Sequence, residues 1–572
     1  MREVADVSII QLREANCKNC YKCIRNCDVK SISFQNDQAQ IIDEDCVLCG
    51  KCTLICPQNA KQIHSDVQKV RSMIDRGEKV YVSLAPSFVT GFPKGNFATV
   101  VKALRRLGFA GVEETAIAAT RVSERYAEIL EKGEVPNLIT TCCPTINMLV
   151  EKYFPELIGQ LASVPSPAVA HCRMLREVYG PDCKVVFIGP CISKKHEAEV
   201  SGAMDAVLLF DEVMAWLHKE SIPMDGEEDE EAREMHHTLS RVYPVPGGIL
   251  KTILLEKRAK YKAVAVDGLN RCIQTLKDIR DNHITGYVLE MSSCVDSCVG
   301  GPGMHEHRVP FLLSKSAVYD FSRRHPETPM PRTEKAAQVD MRHTYETDVT
   351  QHKMPTEEEI WSILRSIGKR TEADLLNCSA CGYNTCREKA IAVFQGKANL
   401  RMCLPYMRER AESMSNIILD NTPNGLILTD ADFRMMQFNQ AAARLLNLDN
   451  SCIGMEIDAF LNMDELGKIR ETGEAVMSQR CKTAIYDVLV EQSVVPVPDH
   501  EYLFLLKDIS AEEENMKAMA KMRQETIETA QQVIDKQMRV AQEIASLLGE
   551  TTGETKAALL KLKASVAQEA AP

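Results

Sequence analysis

The sequence predicts a multidomain protein, α/β in its centre and α+β beyond it, on three observations. Eight cysteines crowd residues 1–70 in two mirrored runs. Residues 77–335 alternate short apolar runs with stretches of helical periodicity. After residue 411 the pattern changes to turn-punctuated strands, followed over 511–565 by a charged, proline-free helix. The 572 residues leave room for about four domains at ~150 residues each.

A net charge of −12 and a pI of about 5.7 argue against nucleic acid as the main partner. The start, Met1 to Ile10, has no long apolar stretch, and no run reaches the ~18–20 residues of a membrane helix. A cytoplasmic protein with no membrane partner is expected. The 22 cysteines, in a long chain with C-x-x-C spacings, point to metal rather than to disulfides.

The N-terminal runs are Cys17, Cys20, Cys23, Cys27 and Cys46, Cys49, Cys52, Cys56, each C-x-x-C-x-x-C-x-x-x-C. Residues 1–70 resemble a two-cluster 4Fe–4S ferredoxin domain. In such modules the fourth cysteine of each run ligates the other cluster. The resemblance therefore implies one cluster on Cys17, Cys20, Cys23 and Cys56, and a second on Cys46, Cys49, Cys52 and Cys27. Structural zinc is the alternative.

Within 77–335, Val80 to Ala85 and Val185 to Gly189 read as buried strands, and Val100–Leu107 and Glu124–Leu130 as helices. The acidic run Asp225–Glu231 reads as a solvated insert. Residues 324–358 carry Pro326, Pro329, Pro331 and Pro355 and read as a linker or wrapping segment, with 336–358 the linker proper. Residues 359–410 hold Cys378, Cys381, Cys386 and Cys403 in a C-x2-C-x4-C-x16-C pattern. This resembles a small four-cysteine 4Fe–4S domain, with zinc again the alternative.

Residues 411–510 resemble a PAS sensory domain. Asn424 to Phe433 reads as strand and turn, Phe438 to Leu448 as a short helix, and Asp508-Ile-Ser as the domain's exit. A generic α+β fold is the alternative. His500 is the sole candidate haem ligand there. In the tail, 511–572, Ile527, Ile534, Ala541, Leu548 and Leu562 recur in sevens, with Thr555 in the gap and Gly549 and Gly553 weakening the middle. That reads as an imperfect coiled coil, and hence a homodimer, or as a helix packed on its own domain. No histidine follows His500, so the chain is not itself a histidine kinase.

Three further motifs lie in the central region: Thr141-Cys142-Cys143-Pro144, Pro190-Cys191-Ile-Ser-Lys194-Lys-His-Glu197, and Glu290-Met-Ser-Ser-Cys294-Val-Asp-Ser-Cys298-Val-Gly300-Gly301. With Glu151 to Leu157, Ser166-Pro167 and Pro246 to Leu250, they resemble the signature loops of FeFe hydrogenases. The resemblance implies a hydrogenase domain over 77–335 holding an H-cluster: a 4Fe–4S cube plus a two-iron centre with carbonyl and cyanide ligands. Cys143, Cys191, Cys294 and Cys298 would bind the cube, and Cys298 would bridge to the two-iron centre. Lys194 would donate to one cyanide, Pro86 and Ser87 would touch the other, and Glu197 would pair with Lys194. Cys142 stands where the family's proton-relay cysteine stands, with a thiol tunable toward neutrality; a purely structural Cys142 is the alternative.

Four departures from the catalytic pattern stand out. Gly189 and Ser292 replace two pocket methionines, which removes polarizable walls. Ala162 replaces a relay serine, with Ser163 beside it. The relay glutamates have no convincing register among Glu113, Glu114 and Glu124.

The fold class is thus multidomain α/β and α+β: two-cluster ferredoxin module, FeFe-hydrogenase catalytic domain, small four-Cys iron–sulfur domain, PAS domain and C-terminal coiled-coil helix. This layout resembles the sensory subfamily of FeFe hydrogenases. It implies a slow, reversible hydrogen and redox sensor, with H2 and protons as substrates, an electron carrier such as ferredoxin, and a kinase or phosphatase as regulatory partner. A ferredoxin-linked catalytic hydrogenase and a non-enzymatic iron–sulfur protein without the two-iron centre are the alternatives.

Overall fold

The computed structural model describes residues 8–92, 96–224, 239–253, 260–304, 308–323, 339–350, 352–461, 469, 474–484, 488–498, 501–548 and 552–568. The acidic run 225–231, Pro326, Pro329, Pro331, His500 and Gly549 lie outside them. The chain divides into two units, Met1–Tyr406 and Met407–Pro572. Among the described residues, no helix is long and apolar enough to cross a membrane.

The first unit opens with β1 (Ile10–Leu12), the antiparallel hairpin of β2 (Ile32–Gln35) and β3 (Gln38–Ile41), and β4 (Lys61–Ile63), which pairs back on β1. Each cysteine run feeds a one-turn helix, Lys22–Asn26 or Lys51–Ile55. Before the second helix Gly50 adopts φ 72°. A Cβ there would stand 2.6 Å from Ile192 and 2.8 Å from Pro302. Only glycine combines that backbone with that approach, so the second cysteine run lies directly against the loops that carry Cys191 and Cys298.

The central region forms two parallel sheets. Its strands are β5 (Val80–Leu84), β6 (Gly111–Glu114), β7 (Leu138–Ile139), β8 (Lys184–Gly189), β9 (Ala206–Leu209), β10 (Lys262–Asp267) and β11 (Tyr287–Ser292). They order as β6-β5-β8-β9 and β10-β11-β7. Helices cover the first sheet, so its strands are mostly apolar, with Val82, Leu84, Val185, Val186, Ile188, Val207 and Leu208 all buried, and β5 carries the buried Ser83 on its other face. The helices exceed their sequence-read cores. Asn96 caps Phe97–Arg106 by accepting from Thr99 N, and Ala116–Lys132 runs until Gly133 turns left-handed. Ser166 caps Pro167–Tyr179, with proline at the first helical position.

Residues 339–350 are an extended strap. His343 N donates to Ser163 O, Tyr345 Oη to Val164 O and Asp348 N to Glu151 O. The four-cysteine domain begins earlier than the predicted boundary at 359. A reciprocal cap between Thr356 and Glu359 starts its first helix at Glu357.

That domain docks on the N-terminal module. Lys30 Nζ donates to Gly382 O at 2.7 Å, Arg25 to Ala380 O at 3.1 Å, and Phe34 N to Lys397 O at 2.9 Å. Buried Asp45 receives Lys397 at 2.7 Å and His352 at 2.6 Å. Burial alone would raise the Asp45 carboxyl, but these two hydrogen bonds outweigh it and hold it below its usual range. A depressed carboxyl stabilises the fold above its unfolded pKa and loses that contribution as pH falls through the folded value. Asp45→Asn strands Lys397 and should cost the docked state on the order of 3 kcal/mol. Faster proteolysis within 353–356 at neutral pH checks it; unchanged cleavage would remove this cluster from the account.

The second unit holds β12 (Gly425–Thr429), β13 (Met435–Phe438), β14 (Val476–Lys482), β15 (Leu489–Val497) and β16 (Glu501–Asp508) in one antiparallel sheet, ordered β13-β12-β16-β15-β14. Ile427, Phe433, Val494, Phe504 and Leu506 form its core. A helix, Gln440–Leu446, follows β13, capped by Asn439. Asp508 in the exit motif accepts from Ser510 N at 2.9 Å and so starts the helix Ser510–Leu548. The coiled-coil expectation is corrected in one respect. The helix ends at Leu548 and a second runs over Thr552–Gln568, with Leu559 and Leu562 facing Ala530, Val533 and Ile534 across a shared groove. Part of the heptad stripe is thus covered by the chain itself, and Leu562 does not continue it.

Candidate functional site

Parallel sheets gather ligands at the carboxyl ends of their strands, where the strand order reverses direction. In the first sheet β6 lies to one side of β5 and β8 to the other. The loops leaving β5, β6, β7, β8 and β11 line one cavity. It takes Pro86 and Ser87 from the first loop, Thr115 from the second, and Cys142 and Cys143 from the third. The fourth brings Cys191 and Lys194, and the fifth Ser292, Cys294 and Cys298.

The cysteines there face one another. Burial pushes the thiols of Cys191, Cys294 and Cys298 up, and repulsion from their neighbours adds to it: Cys143 on Cys191, Cys191 and Cys143 on Cys294, and all three on Cys298. Thiols in such mutual reach suit a cationic cluster that takes up their shared charge. Cys49 acts on Cys294 as well, which places the second N-terminal run next to this set. Gly301 closes the floor: a Cβ there would stand 2.8 Å from Pro190 O and 3.0 Å from Cys298 O.

Ser87 tests whether the cavity fits the H-cluster. Its Oγ is buried, has no hydrogen-bond partner and stands on the cavity wall. Leaving such a hydroxyl unpaired costs about 1–3 kcal/mol, so the wall offers a donor to an acceptor-bearing group in the cavity. The thiol set and this donor fit a cube with a cyanide-bearing metal centre beside it.

Lys194 is buried and fully engaged. It donates to Glu197 at 2.6 Å, to Ser166 Oγ at 2.8 Å and to Cys142 O at 3.4 Å. Burial would lower its pKa, but Glu197 outweighs that and raises it, so the ammonium stays charged. A contact from Lys194 to a bound group must replace the long bond to Cys142 O. Glu197 also accepts from Ser166 at 2.9 Å, so the pair expected within the loop is present.

Burial, opposed by Lys194, pushes the Cys142 thiol up to about 12. The other proton-path candidates do not gather around it. Glu114 is buried against Arg241 (2.7 Å), Glu113 meets Tyr179 (2.6 Å), and Glu124 pairs with Arg121 on the surface (2.7 Å). Ala162 is buried and Ser163 exposed. The space near Cys142 is instead taken by Tyr126, which bonds Thr141, and by Glu290. Burial raises the Glu290 carboxyl to about 7 against the N–H groups of Leu250 and Gly247.

Gly189 does not leave a hole. A Cβ there would meet the Phe187 ring at 2.5 Å, and that ring lines the cavity. The lost methionine wall is replaced by an aromatic one. Gly189→Met should therefore destabilise by ~1–3 kcal/mol through overpacking, and Gly189→Met with Phe187→Ala should recover most of it. Thermal unfolding of the two variants decides. Ser292 Oγ bonds Ser297 Oγ at 2.9 Å, one residue before Cys298, so the second replaced methionine becomes a polar wall.

The remaining cysteine sets assemble in part. Cys27 lies in electrostatic reach of Cys46, Cys49 and Cys52, the grouping that the crossed ferredoxin pattern implies. Cys17 and Cys20 act on Cys23, while Cys56 ends the helix Lys51–Ile55 and accepts from Ala60 N. Cys378, Cys381, Cys386 and Cys403 line one small cavity with Lys389. Among the described residues no three of these side chains meet at the spacing of a single metal ion. Phe187, Tyr243 and Thr115, which also line the cavity, went unread in the sequence, since isolated lining residues leave no spacing signal.

Residues 78–302 match the family "Iron only hydrogenase large subunit, C-terminal domain", 39–62 a 4Fe-4S binding domain, and 376–405 an Fe-S cluster domain. Iron hydrogenase 1 of Clostridium pasteurianum is 25% identical over 363 residues, 50% of this chain and 63% of that protein. The NADP-reducing hydrogenase subunit HndD of Solidesulfovibrio fructosivorans is 24% identical over 345 residues, 49% of this chain and 59% of that one. The chain thus spans less than two thirds of either relative. A solved HydA1 [FeFe]-hydrogenase variant from Chlamydomonas reinhardtii aligns at 17% identity and TM-score 0.36, covering 50% of this chain and 100% of the other. A PAS domain of an HTR-like protein from Haloarcula marismortui aligns at 20% identity and TM-score 0.16, covering 18% and 97%.

Proposed function

We propose that this chain, whose residues 78–302 match the iron-only hydrogenase large-subunit family, is an FeFe hydrogenase that senses hydrogen at low turnover and signals through its PAS unit. The observation that carries the hydrogenase reading is the cavity itself: four mutually facing cysteines beside the unpaired Ser87 hydroxyl. Cys143, Cys191, Cys294 and Cys298 would hold the cube, with Cys298 bridging to the two-iron centre. When bound, that group supplies heterolytic cleavage of H2 to two protons and two electrons.

The protein's own residues do the rest. Ser87 and the charged Lys194 supply hydrogen bonds around the bound group. Glu197 and Ser166 fix where the ammonium points. Cys142, neutral at the cavity wall, holds a proton without keeping a lasting charge. Phe187 and the alanines and prolines of the wall exclude water.

The sensory reading rests on three features. Among the described residues the three candidate relay glutamates, Glu113, Glu114 and Glu124, are engaged away from Cys142. The four-cysteine domain docks on the N-terminal module through Lys30, Arg25 and Lys397. Its last cysteine, Cys403, directly precedes the helix Leu404–Asn421, which runs on into the PAS unit. A partner protein, such as a kinase or phosphatase, would read that unit, and a homodimer through the tail helix fits its exposed residues. Assaying turnover with artificial electron donors, and protease accessibility of 404–421 with and without H2, tests the role. Slow turnover with a hydrogen-dependent change supports sensing. Vigorous turnover with no change makes the chain a ferredoxin-linked hydrogenase.

A further inference from the structure

A polar chain leads away from the cavity and includes neither Lys194 nor Cys142. Thr115, on the cavity wall, bonds through Oγ1 to Ser83 Oγ at 2.7 Å. Ser83 Oγ bonds His171 Nδ1 at 2.8 Å. The other ring nitrogen, Nε2, has no hydrogen-bond partner and stands 3.7 Å from Glu113 Oε2. Glu113 Oε1 accepts from Tyr179 Oη at 2.6 Å, and its side chain is 20% exposed. Ser83, Thr115 and His171 are buried, His171 to 1% exposure.

The register explains the juxtaposition. β5 and β6 pair in parallel with Ser83 beside Glu113, and the helix Pro167–Tyr179 lays His171 across them. A buried polar row between apolar layers costs free energy at every link, and a histidine on an otherwise apolar helix face has no packing reason to be there.

The geometry points to Thr115, Ser83, His171 and Glu113 as a proton relay between the hydrogen-reacting cavity and solvent; it rests on the hydrogenase reading. Outward transfer balances link by link. Thr115 takes a proton from the cavity as its own passes to Ser83. Ser83 passes its proton to His171 Nδ1, and His171 releases the Nε2 proton to Glu113, which gives it to water. The electrons leave separately. One link is open at rest: 3.7 Å exceeds a hydrogen bond, and a small ring rotation or one bridging water closes it. Imidazole suits the central place, because it exchanges protons near neutral pH through two distinct nitrogens.

The test uses the matured holoprotein. Glu113→Gln and Ser83→Ala are conservative, and His171→Gln is the harsher variant; surface Glu124→Gln is the control. Turnover should fall at least tenfold in the first three, with a larger solvent isotope effect, and stay unchanged in the control. Infrared difference spectra, H2 minus argon, should show a protonated-carboxyl band in the wild type that Glu113→Gln removes. Wild-type rates in Glu113→Gln and Ser83→Ala, or a carboxyl band that survives Glu113→Gln, would overturn the relay. If the wild type itself shows no carbonyl and cyanide bands, the hydrogenase reading fails instead.

Discussion

Cys298→Ala should give a folded protein with its N-terminal clusters in place, yet with no infrared signature of a two-iron centre after maturation. Cys298 follows β11 in a turn where Gly300 and Gly301 let backbone meet backbone: a Cβ on Gly300 would overlap Val295 O at 2.0 Å. The thiol therefore has one place to be. The assignment gives it the only protein bond to the two-iron centre, the other ligands being small molecules. Its loss should lower hydrogen turnover by roughly three orders of magnitude or more, as for residues that act as one unit with the reacting group. The ferredoxin cysteines, Cys17 to Cys56, are untouched, so their reduced clusters should give unchanged magnetic resonance signals. Carbonyl bands surviving in Cys298→Ala would place the anchor elsewhere.

Lys194→Met should be the most destabilising single change at the cavity. The lysine and Glu197 side chains are 8% and 14% exposed, and Ser166 completes a closed triangle with them. Removing the ammonium leaves a buried carboxylate with one hydroxyl partner, a loss of ~3–5 kcal/mol. Pairing it with Glu197→Gln removes the stranded charge and should restore much of the stability without restoring turnover. Chemical denaturation of the single and double variants, beside turnover of both, separates the two roles. Equal stability of Lys194→Met and wild type would mean that Glu197 finds another partner.

The metal chemistry was legible because cysteine spacing is a local property. The crossed reach of Cys27 toward Cys46, Cys49 and Cys52 follows from the mirrored runs, and the Lys194–Glu197 pair follows from one helical turn. What sequence did not reveal depends on tertiary neighbours. Gly189 reads as a missing wall until the Phe187 ring is seen in its place. His171 carries no motif of its own, and only the β5–β6 register sets Ser83 and Glu113 around it. The tail reads as one stripe because heptad counting does not register that the chain returns and lays Leu559 and Leu562 on it.

The account rests on the cavity holding a two-iron centre. Infrared spectra of the anaerobically matured chain measure that directly. Carbonyl and cyanide bands that shift when hydrogen is added, and that disappear in Cys298→Ala, are the expected result. A fully matured sample with no such bands would contradict the assignment and leave an iron–sulfur protein that does not react with hydrogen.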